Sequence, residues 1–269
     1  MSIIVATDFT KLADNAVAYA AAMAKHTSAR LVLFHAYSWP IHAANAQLSA
    51  EYFQSLFQQY GHRLEEQGKL IGRQYGIEVS SECAVTYIED SLPETIEKYN
   101  GKLLIMGMKG KSLEQDLMGN TTTSMIKKIN IPILAVPEVA QWKDTRKMLF
   151  ACDMSSLVPQ DVLQRLKEFA ASFQGEVEVF SVDKVVEDLQ KEKVDPFKED
   201  LEGIHYYYKN VRSQDVIAAI AAEIKEIKAD FLVMMPQKRG FWEAVVHRSK
   251  TRLMASGLQI PLLSIPSLE

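Results

Sequence analysis

Residues that could bind an anion are concentrated in one segment of the first half of the chain. Gly107-Met108-Lys109-Gly110 follows a short apolar run, and Gly119-Asn120-Thr121-Thr122-Thr123 comes after an interval of eight residues. Glycines let the backbone approach a phosphate closely and adopt positive φ. Free N–H groups at a helix start, together with hydroxyls, offer donors to an anion, and Lys109 adds a positive charge. The segment therefore predicts a phosphate-binding loop.

The same residues also have a simpler interpretation. Gly107 and Gly110 would only turn the chain, and Asn120 or Thr121 would be an ordinary N-cap of the next helix. Residue types and spacing alone do not separate the two interpretations.

The elements that must position this segment follow from the alternation of short apolar runs with helical patterns. Near-continuous apolar runs are typical of strands covered on both faces, and strand–helix alternation implies right-handed crossovers. We therefore predict an α/β fold with doubly wound parallel sheets. The first half is predicted to contain strands Ile3–Ala6, Arg30–Ala36, Ile77–Val85, Lys102–Met106 and Ile131–Val136, and helices Leu12–Lys25, Ser49–Tyr75, one starting at Ser91, and Thr121–Lys128. The second half is predicted to contain strands Lys147–Cys152, Glu176–Val182, His205–Val211, Asp230–Met235 and Pro261–Ile265, and helices Val158–Phe173 and Gln214–Lys228.

Ligands of open parallel sheets bind at the carboxyl ends of the strands. Asp8-Phe9-Thr10 follows the first predicted strand, and the glycine segment follows the fourth, so both belong to that edge. His35 ends the second strand, and we expect it to be a structural residue with a satisfied ring rather than a catalyst.

An internal repeat divides the chain. Ile3–Thr10 resembles Met148–Ser155, because each is an apolar run that ends in Asp with a hydroxyl residue two positions later. Two further pairs follow in the same order: Leu104-Ile105-Met106 with Leu232-Val233-Met234, and Ile131–Pro137 with Ile260–Pro266. Self-similarity in conserved order indicates a duplicated unit. We predict one domain over 1–139 and a second over 146–269, joined by a polar linker.

These motifs resemble the universal stress protein family in its tandem two-domain form. Nucleotide-binding members of that family carry a strand ending in Asp with a nearby hydroxyl, then Gly-x-x-Gly, nine residues, and Gly followed by Ser or Thr. The resemblance covers almost the whole chain twice. It implies two Rossmann-like domains of the adenine nucleotide alpha hydrolase type, each a five-stranded parallel sheet flanked by helices, that pair through their last strands.

The resemblance also implies a bound adenine nucleotide, either ATP or AMP/ADP, with or without Mg²⁺. Asp8 and Thr10 would lie at the base and ribose end, and Ala36 would line the base pocket. The residues that would follow the ribose and phosphates are Met106, Gly107, Lys109, Gly110, Gly119, Asn120, Thr121 and Thr122. Two departures stand out: eight residues rather than nine separate Gly110 from Gly119, and Asn120 takes the Ser/Thr position.

The second half has lost the three glycines of this pattern. Alignment of the strands places Met235, Gln237 and Lys238 where Gly107, Lys109 and Gly110 stand, and Arg248 where Gly119 stands. A side chain there would crowd a backbone-bound phosphate, so this domain is predicted to be degenerate. The basic and aromatic residues of 236–251 are open to two interpretations, side-chain binding of an anion or packing against the sheet.

Several function classes are disfavoured. A Walker A motif needs Gly-x4-Gly-Lys-Ser/Thr, but Ile105 stands at its first glycine position. We find no nucleophile elbow or metal-ligand cluster in the sequence, and expect at most a slow ATPase. The main hypothesis is a nucleotide-responsive stress regulator. The alternative is a scaffold that binds a protein partner and keeps a vestigial nucleotide site.

Composition is that of a soluble protein, with 48% hydrophobic and 24% charged residues and a net charge of −4. The acidic balance argues against a nucleic-acid partner, and no apolar run is long enough to span a bilayer. The two cysteines, Cys83 and Cys152, lie in predicted strands and are expected to be structural thiols. We therefore expect a cytoplasmic protein whose two domains pair, with a homodimer and an unidentified protein partner as further expectations.

Overall fold

The computed structural model describes residues 1–37, 50–108, 120–143, 147–153, 157–183, 197–236 and 259–268. The described chain forms two compact units, Met1–Gly107 and Met108–Glu269. Each unit is an α/β structure, as predicted, and no helix among the described residues is long and apolar enough to cross a membrane.

The first unit alternates strands with helices. Its elements are β1 (Ser2–Ala6), α1 (Lys11–Thr27), β2 (Arg30–Ala36), α2 (Ala50–Tyr75), β3 (Val79–Ala84), α3 (Ile88–Lys98) and β4 (Gly101–Met108). The division between the two units falls within β4, before its last residue, Met108. The strands are parallel in the order β3-β2-β1-β4, so β1 lies in the centre with β2 and β4 on either side.

Helices cover both faces of this sheet. Leu33 lies on the α2 face, since a Cβ added at Gly68 of α2 would meet its side chain at 3.7 Å. Ile4 lies on the opposite face, where Gly101 and Ile96 of α3 meet. Ile4 and Leu33 are completely buried. Burial on both faces explains why these strands read as continuous apolar runs, and it confirms the doubly wound arrangement.

The second unit has the same plan. Its elements are α4 (Asn120–Lys128), β5 (Ile133–Pro137), β6 (Lys147–Cys152), α5 (Gln160–Ser172), β7 (Glu176–Asp183), β8 (His205–Arg212), α6 (Val216–Ile227), β9 (Phe231–Met234) and β10 (Leu262–Ser264). Five strands are parallel in the order β8-β7-β6-β9-β10, so β6 is central as β1 is in the first unit.

Strand β5 joins this sheet in the opposite direction. It pairs antiparallel with β10, with Leu134 opposite Leu263, and both side chains are completely buried. Because β5 comes from the first sequence repeat, the boundary between the compact units differs from the repeat boundary near residues 139–146. The division into domains 1–139 and 146–269 stays a prediction.

Two of the element boundaries that differ from expectation lie near the predicted site or its helices. Helix α3 begins at Ile88 with Tyr87 as its N-cap, so a start at Ser91 was wrong. Glu89 and Asp90 lie in its first turn, where carboxylates favour the helix dipole, and Pro93 falls inside the helix. Strand β4 runs to Met108, so Gly107 lies in the strand instead of the loop after it.

Candidate functional site

The turn that follows β1 is held by side-chain hydrogen bonds. Thr10 caps α1, because its hydroxyl oxygen accepts from the Ala13 N–H at 3.3 Å. The same hydroxyl donates to Asp8 Oδ1 at 2.6 Å, and the Thr10 backbone N–H donates to that oxygen at 3.1 Å. The Asp8 and Thr10 side chains are exposed. The predicted pair of acid and hydroxyl therefore forms one hydrogen-bonded turn at the carboxyl edge of the sheet.

Phe9 lies in the middle of this turn with a φ of 59°. That is the left-handed region, which costs a residue with a Cβ about 1–2 kcal/mol. The Phe9 N–H donates to Thr7 Oγ1 at 3.1 Å, which helps hold the conformation. Strained backbone of this kind is concentrated at ligand sites and switch regions.

His35 is a buried polar side chain beside the turn. Its Nδ1 is 2.8 Å from the Thr7 carbonyl oxygen, and its side chain is buried. Burial lowers the pKa of His35, although the Thr7 carbonyl and the Asp8 charge act in the opposite direction. Nε2 is buried without a hydrogen-bond partner among the described residues. We expected the ring nitrogens of His35 to have hydrogen-bond partners, and among the described residues only Nδ1 has one.

Aromatic rings surround His35, and we call Phe9, His35, Tyr37 and Tyr60 the aromatic cluster. The Phe9 and Tyr60 ring centroids are 4.7 and 5.1 Å from that of His35. The Phe9 and Tyr60 rings are nearly parallel, 19° apart with centroids 6.0 Å apart. Tyr37 lies 5.2 Å from Tyr60 by ring centroids. The cluster offers flat apolar faces beside one polar nitrogen.

Arg63 of α2 adds a positive charge to this edge. Its guanidinium carbon lies 4.2 Å from the Phe9 ring centroid, in cation–π geometry. Sequence reasoning missed Arg63 and Tyr60, because neither belongs to a motif. The sequence places both residues on the long amphipathic helix, but this position alone does not predict which strand end their side chains would contact.

The predicted site residues of the first unit divide into two groups. Asp8, Thr10 and Ala36 lie at the carboxyl ends of β1 and β2, close in sequence to residues of the aromatic cluster. Met106 is buried in β4. Gly107 faces α1, where an added Cβ would lie 2.7 Å from Leu12 Cγ. Close packing of β4 on α1 is therefore sufficient reason for a glycine at 107.

The remaining predicted residues belong to the second unit. Asn120 is the first residue of α4, Thr121 is exposed, and Thr122 is buried. Lys109, Gly110 and Gly119 lie outside the described residues, as do Lys238 and Arg248 of the basic and aromatic segment.

The second repeat has a different arrangement at the position that matches His35. Thr7 corresponds to Cys152 in the repeat, and Cys152 pairs in register with Ser181 of β7. Ser181 is buried, accepts from Asn210 Nδ2 at 2.7 Å, and lies 3.3 Å from the Tyr208 hydroxyl. Burial raises the pKa of the Cys152 thiol to about 12, so this thiol is un-ionised at neutral pH.

No set of three or more His, Cys, Asp or Glu side chains in the described ranges is arranged to hold a metal ion. The described residues at the carboxyl edge of β1 and β2 can donate and accept hydrogen bonds and can stack against a planar group.

Comparison with known proteins identifies the fold. The universal stress protein family model matches residues 1–137. None of the curated protein sequences matches the chain. A universal stress protein from Archaeoglobus fulgidus DSM 4304 is 16% identical, with a TM-score of 0.71 and coverage of 98% of both chains. A functionally unknown protein from Pseudomonas aeruginosa PAO1 is 13% identical, with a TM-score of 0.52 and coverage of 98% of this chain and 92% of that one.

The two structures show the likeness of fold over nearly the whole length of the chain, including the second repeat, which lies beyond the family match. The family match itself covers half of the chain and contains the Asp8 turn, the aromatic cluster and the glycine segment. The chain belongs to the universal stress protein family.

Proposed function

We propose that the chain is a stress regulator that binds an adenine nucleotide, ATP or AMP/ADP, through its N-terminal domain. The C-terminal domain acts as its pseudo-dimer partner or as a signalling surface. The observation that carries the proposal is the carboxyl edge of β1 and β2. There the Asp8 turn lies beside flat aromatic faces and a buried ring nitrogen of His35 that has no hydrogen-bond partner among the described residues. Such an edge suits the base and ribose of a nucleotide.

In this proposal the phosphates bind to the segment that continues from β4. Because glycine has no Cβ, Gly110 and Gly119 would let a phosphate approach the backbone closely, and Lys109 would supply a positive charge. At the start of α4, the Asn120 and Thr121 N–H groups and the Thr121 hydroxyl are the donors, since Thr121 is exposed and Thr122 is buried. Mg²⁺ would bind through the phosphate oxygens, because the described residues contain no suitable cluster of ligands.

The role of the second domain is supported by the β5–β10 pair. The last strands of the two repeats, β5 and β10, form an antiparallel ladder, which pairing of the two domains would require. Arg165 links the ends of the two paired strands. Its Nη1 donates at 3.0 Å to the carbonyl of Asn130, which precedes β5, and at 3.0 Å to that of Pro266, which follows β10.

Nucleotide binding is tested by titration calorimetry with ATP and by native mass spectrometry of protein purified without added nucleotide. We expect measurable ATP binding that falls at least about tenfold in Gly110→Val and Gly119→Val, because a Cβ would block the phosphates. Gly61→Val is the matched control, since no atom lies within 4 Å of a Cβ added there. Protein without bound nucleotide and without heat of binding would contradict the proposal and favour a scaffold that binds a protein partner.

A further inference from the structure

The protonation of the His35 ring follows from its surroundings. A carbonyl oxygen only accepts, so the Nδ1 that lies 2.8 Å from the Thr7 oxygen carries the hydrogen. Burial lowers the pKa of the ring, so it is neutral near pH 7. Nε2 is therefore an acceptor with a lone pair, held in a fixed direction by the hydrogen bond on the other side of the ring.

This acceptor has no donor in the described part of the chain. Leaving a buried acceptor unpaired costs about 1–3 kcal/mol, and native proteins contain few such groups. The matching position of the second repeat shows the ordinary solution, since buried Ser181 accepts a hydrogen bond from Asn210. At this one position the second repeat is satisfied internally, whereas the first repeat has no donor for it among the described residues.

The groups around Nε2 suit a planar ligand. The Phe9 and Tyr60 rings both contact His35 and lie within 19° of parallel. Phe9 is held in a left-handed conformation with Arg63 over its face. The left-handed region is unfavourable for a residue with a Cβ, and such strain is found at ligand sites.

We propose that Nε2 of His35 accepts a hydrogen bond from the exocyclic amino group of a bound 6-aminopurine, against the Tyr60 ring and in place of Phe9. This selects adenine over purines that lack the amino group. The proposal rests on the nucleotide binding proposed above and adds a specificity-determining residue to it. Asp8 and Thr10 are both exposed on the same turn, so a ribose can reach their side chains.

The test compares ATP with purine riboside 5′-triphosphate, which differs only in having hydrogen in place of the 6-amino group. Titration calorimetry on the full chain should show ATP bound about tenfold more tightly. His35→Phe should weaken ATP to the level of the purine analogue and leave the analogue's affinity unchanged. His35→Asn keeps an N–H for the Thr7 carbonyl but has no acceptor at the Nε2 position, so it should lose the preference in the same way.

His62→Phe is the matched control, because His62 is an exposed histidine on α2 near Tyr60. It should keep the full preference for ATP, and circular dichroism should show all variants folded. Equal affinities of the wild type for the two triphosphates, or a preference that survives both His35 variants, would overturn this inference and leave the proposed function standing. Failure to bind either triphosphate would overturn both.

Discussion

At the scale of single residues, the second unit holds a pair of carboxyl groups with an unusual titration. Glu178 of β7 shares a hydrogen bond with Glu223 of α6. Burial, followed by the charge of Glu223, raises the pKa of Glu178 to about 7, although Lys209 acts against this. Lys209 Nζ lies 2.7 Å from Glu223 and 3.3 Å from Glu226. The folded chain therefore favours protonated Glu178.

The sign of the pH dependence follows from that raised pKa. The contribution of Glu178 to the free energy of unfolding is fully present below its unfolded pKa, near 4.5, and is lost as the pH rises through about 7. Glu178→Gln cannot ionise, so it should be more stable than the wild type near pH 8 by about 1 kcal/mol, a value discounted because the group is partly exposed. Near pH 4.5 the two proteins should be equally stable.

Urea unfolding followed by circular dichroism at the two pH values measures this difference. Glu66→Gln removes the same charge from an exposed position on α2, away from this group, and serves as the control, with little expected change. Stability curves of wild type and Glu178→Gln that run parallel from pH 4.5 to pH 8 would exclude the assigned titration.

At the scale of elements, local pattern predicted most strands and helices because each buries a continuous apolar run or an amphipathic face. Strand β6 was predicted with its observed bounds, and α2 begins one residue after its predicted start at Ser49. The start of α3 was missed because Ser91 and Pro93 imitate a helix N-terminus. Helix existence is thus encoded locally, while the residue at which a helix begins also depends on what its first turn packs against.

The contact between β4 and α1 gives a prediction at this scale. Gly107→Ala should lower the free energy of unfolding by about 1–3 kcal/mol without any ligand, because its Cβ would lie 2.7 Å from Leu12 Cγ. Leu12→Ala in the same chain removes that atom and should recover part of the loss, as urea unfolding of the single and double variants would measure.

Gly61→Ala, in open space on α2, is the control and should be neutral or slightly stabilising. If Gly107→Ala unfolds like the wild type, the glycine is not needed for packing, and its role would have to lie with a ligand.

At the scale of the whole molecule, the last strands of the two sequence repeats pair antiparallel within the second unit. Leu262, Leu263 and Ser264 of β10 pair with Ala135, Leu134 and Ile133 of β5. The pair is only three residues long, so its stability depends on burial and on bonds at its ends. Arg165 supplies two of these bonds, to the carbonyl oxygens of Asn130 and Pro266.

Arg165→Met should therefore loosen this strand pair. We expect a loss of about 1–2 kcal/mol in the free energy of unfolding, because two carbonyls lose a charged donor. Hydrogen exchange should become faster at the amides of β5 and β10 and stay unchanged in β1 and β2. Arg73→Met, an exposed arginine on α2, is the control. Unchanged exchange in β5 and β10 would show that the strand pair does not depend on Arg165.

The α/β class, the duplication and the family could be predicted from the amino-acid sequence, because these depend on patterns of apolar runs and on motifs within a few residues. The sequence also indicated Asp8 and Thr10 as partners, since a turn brings them together locally. The contacts of Tyr60 and Arg63 with Phe9 could not be predicted from the sequence. They depend on the packing of α2, which sets which of its side chains reach the strand ends, and the same packing brings Tyr60 to His35. The same holds for the buried His35 Nε2, which has no donor in the ranges that the structure describes, since burial and hydrogen-bond partners depend on the packed surroundings.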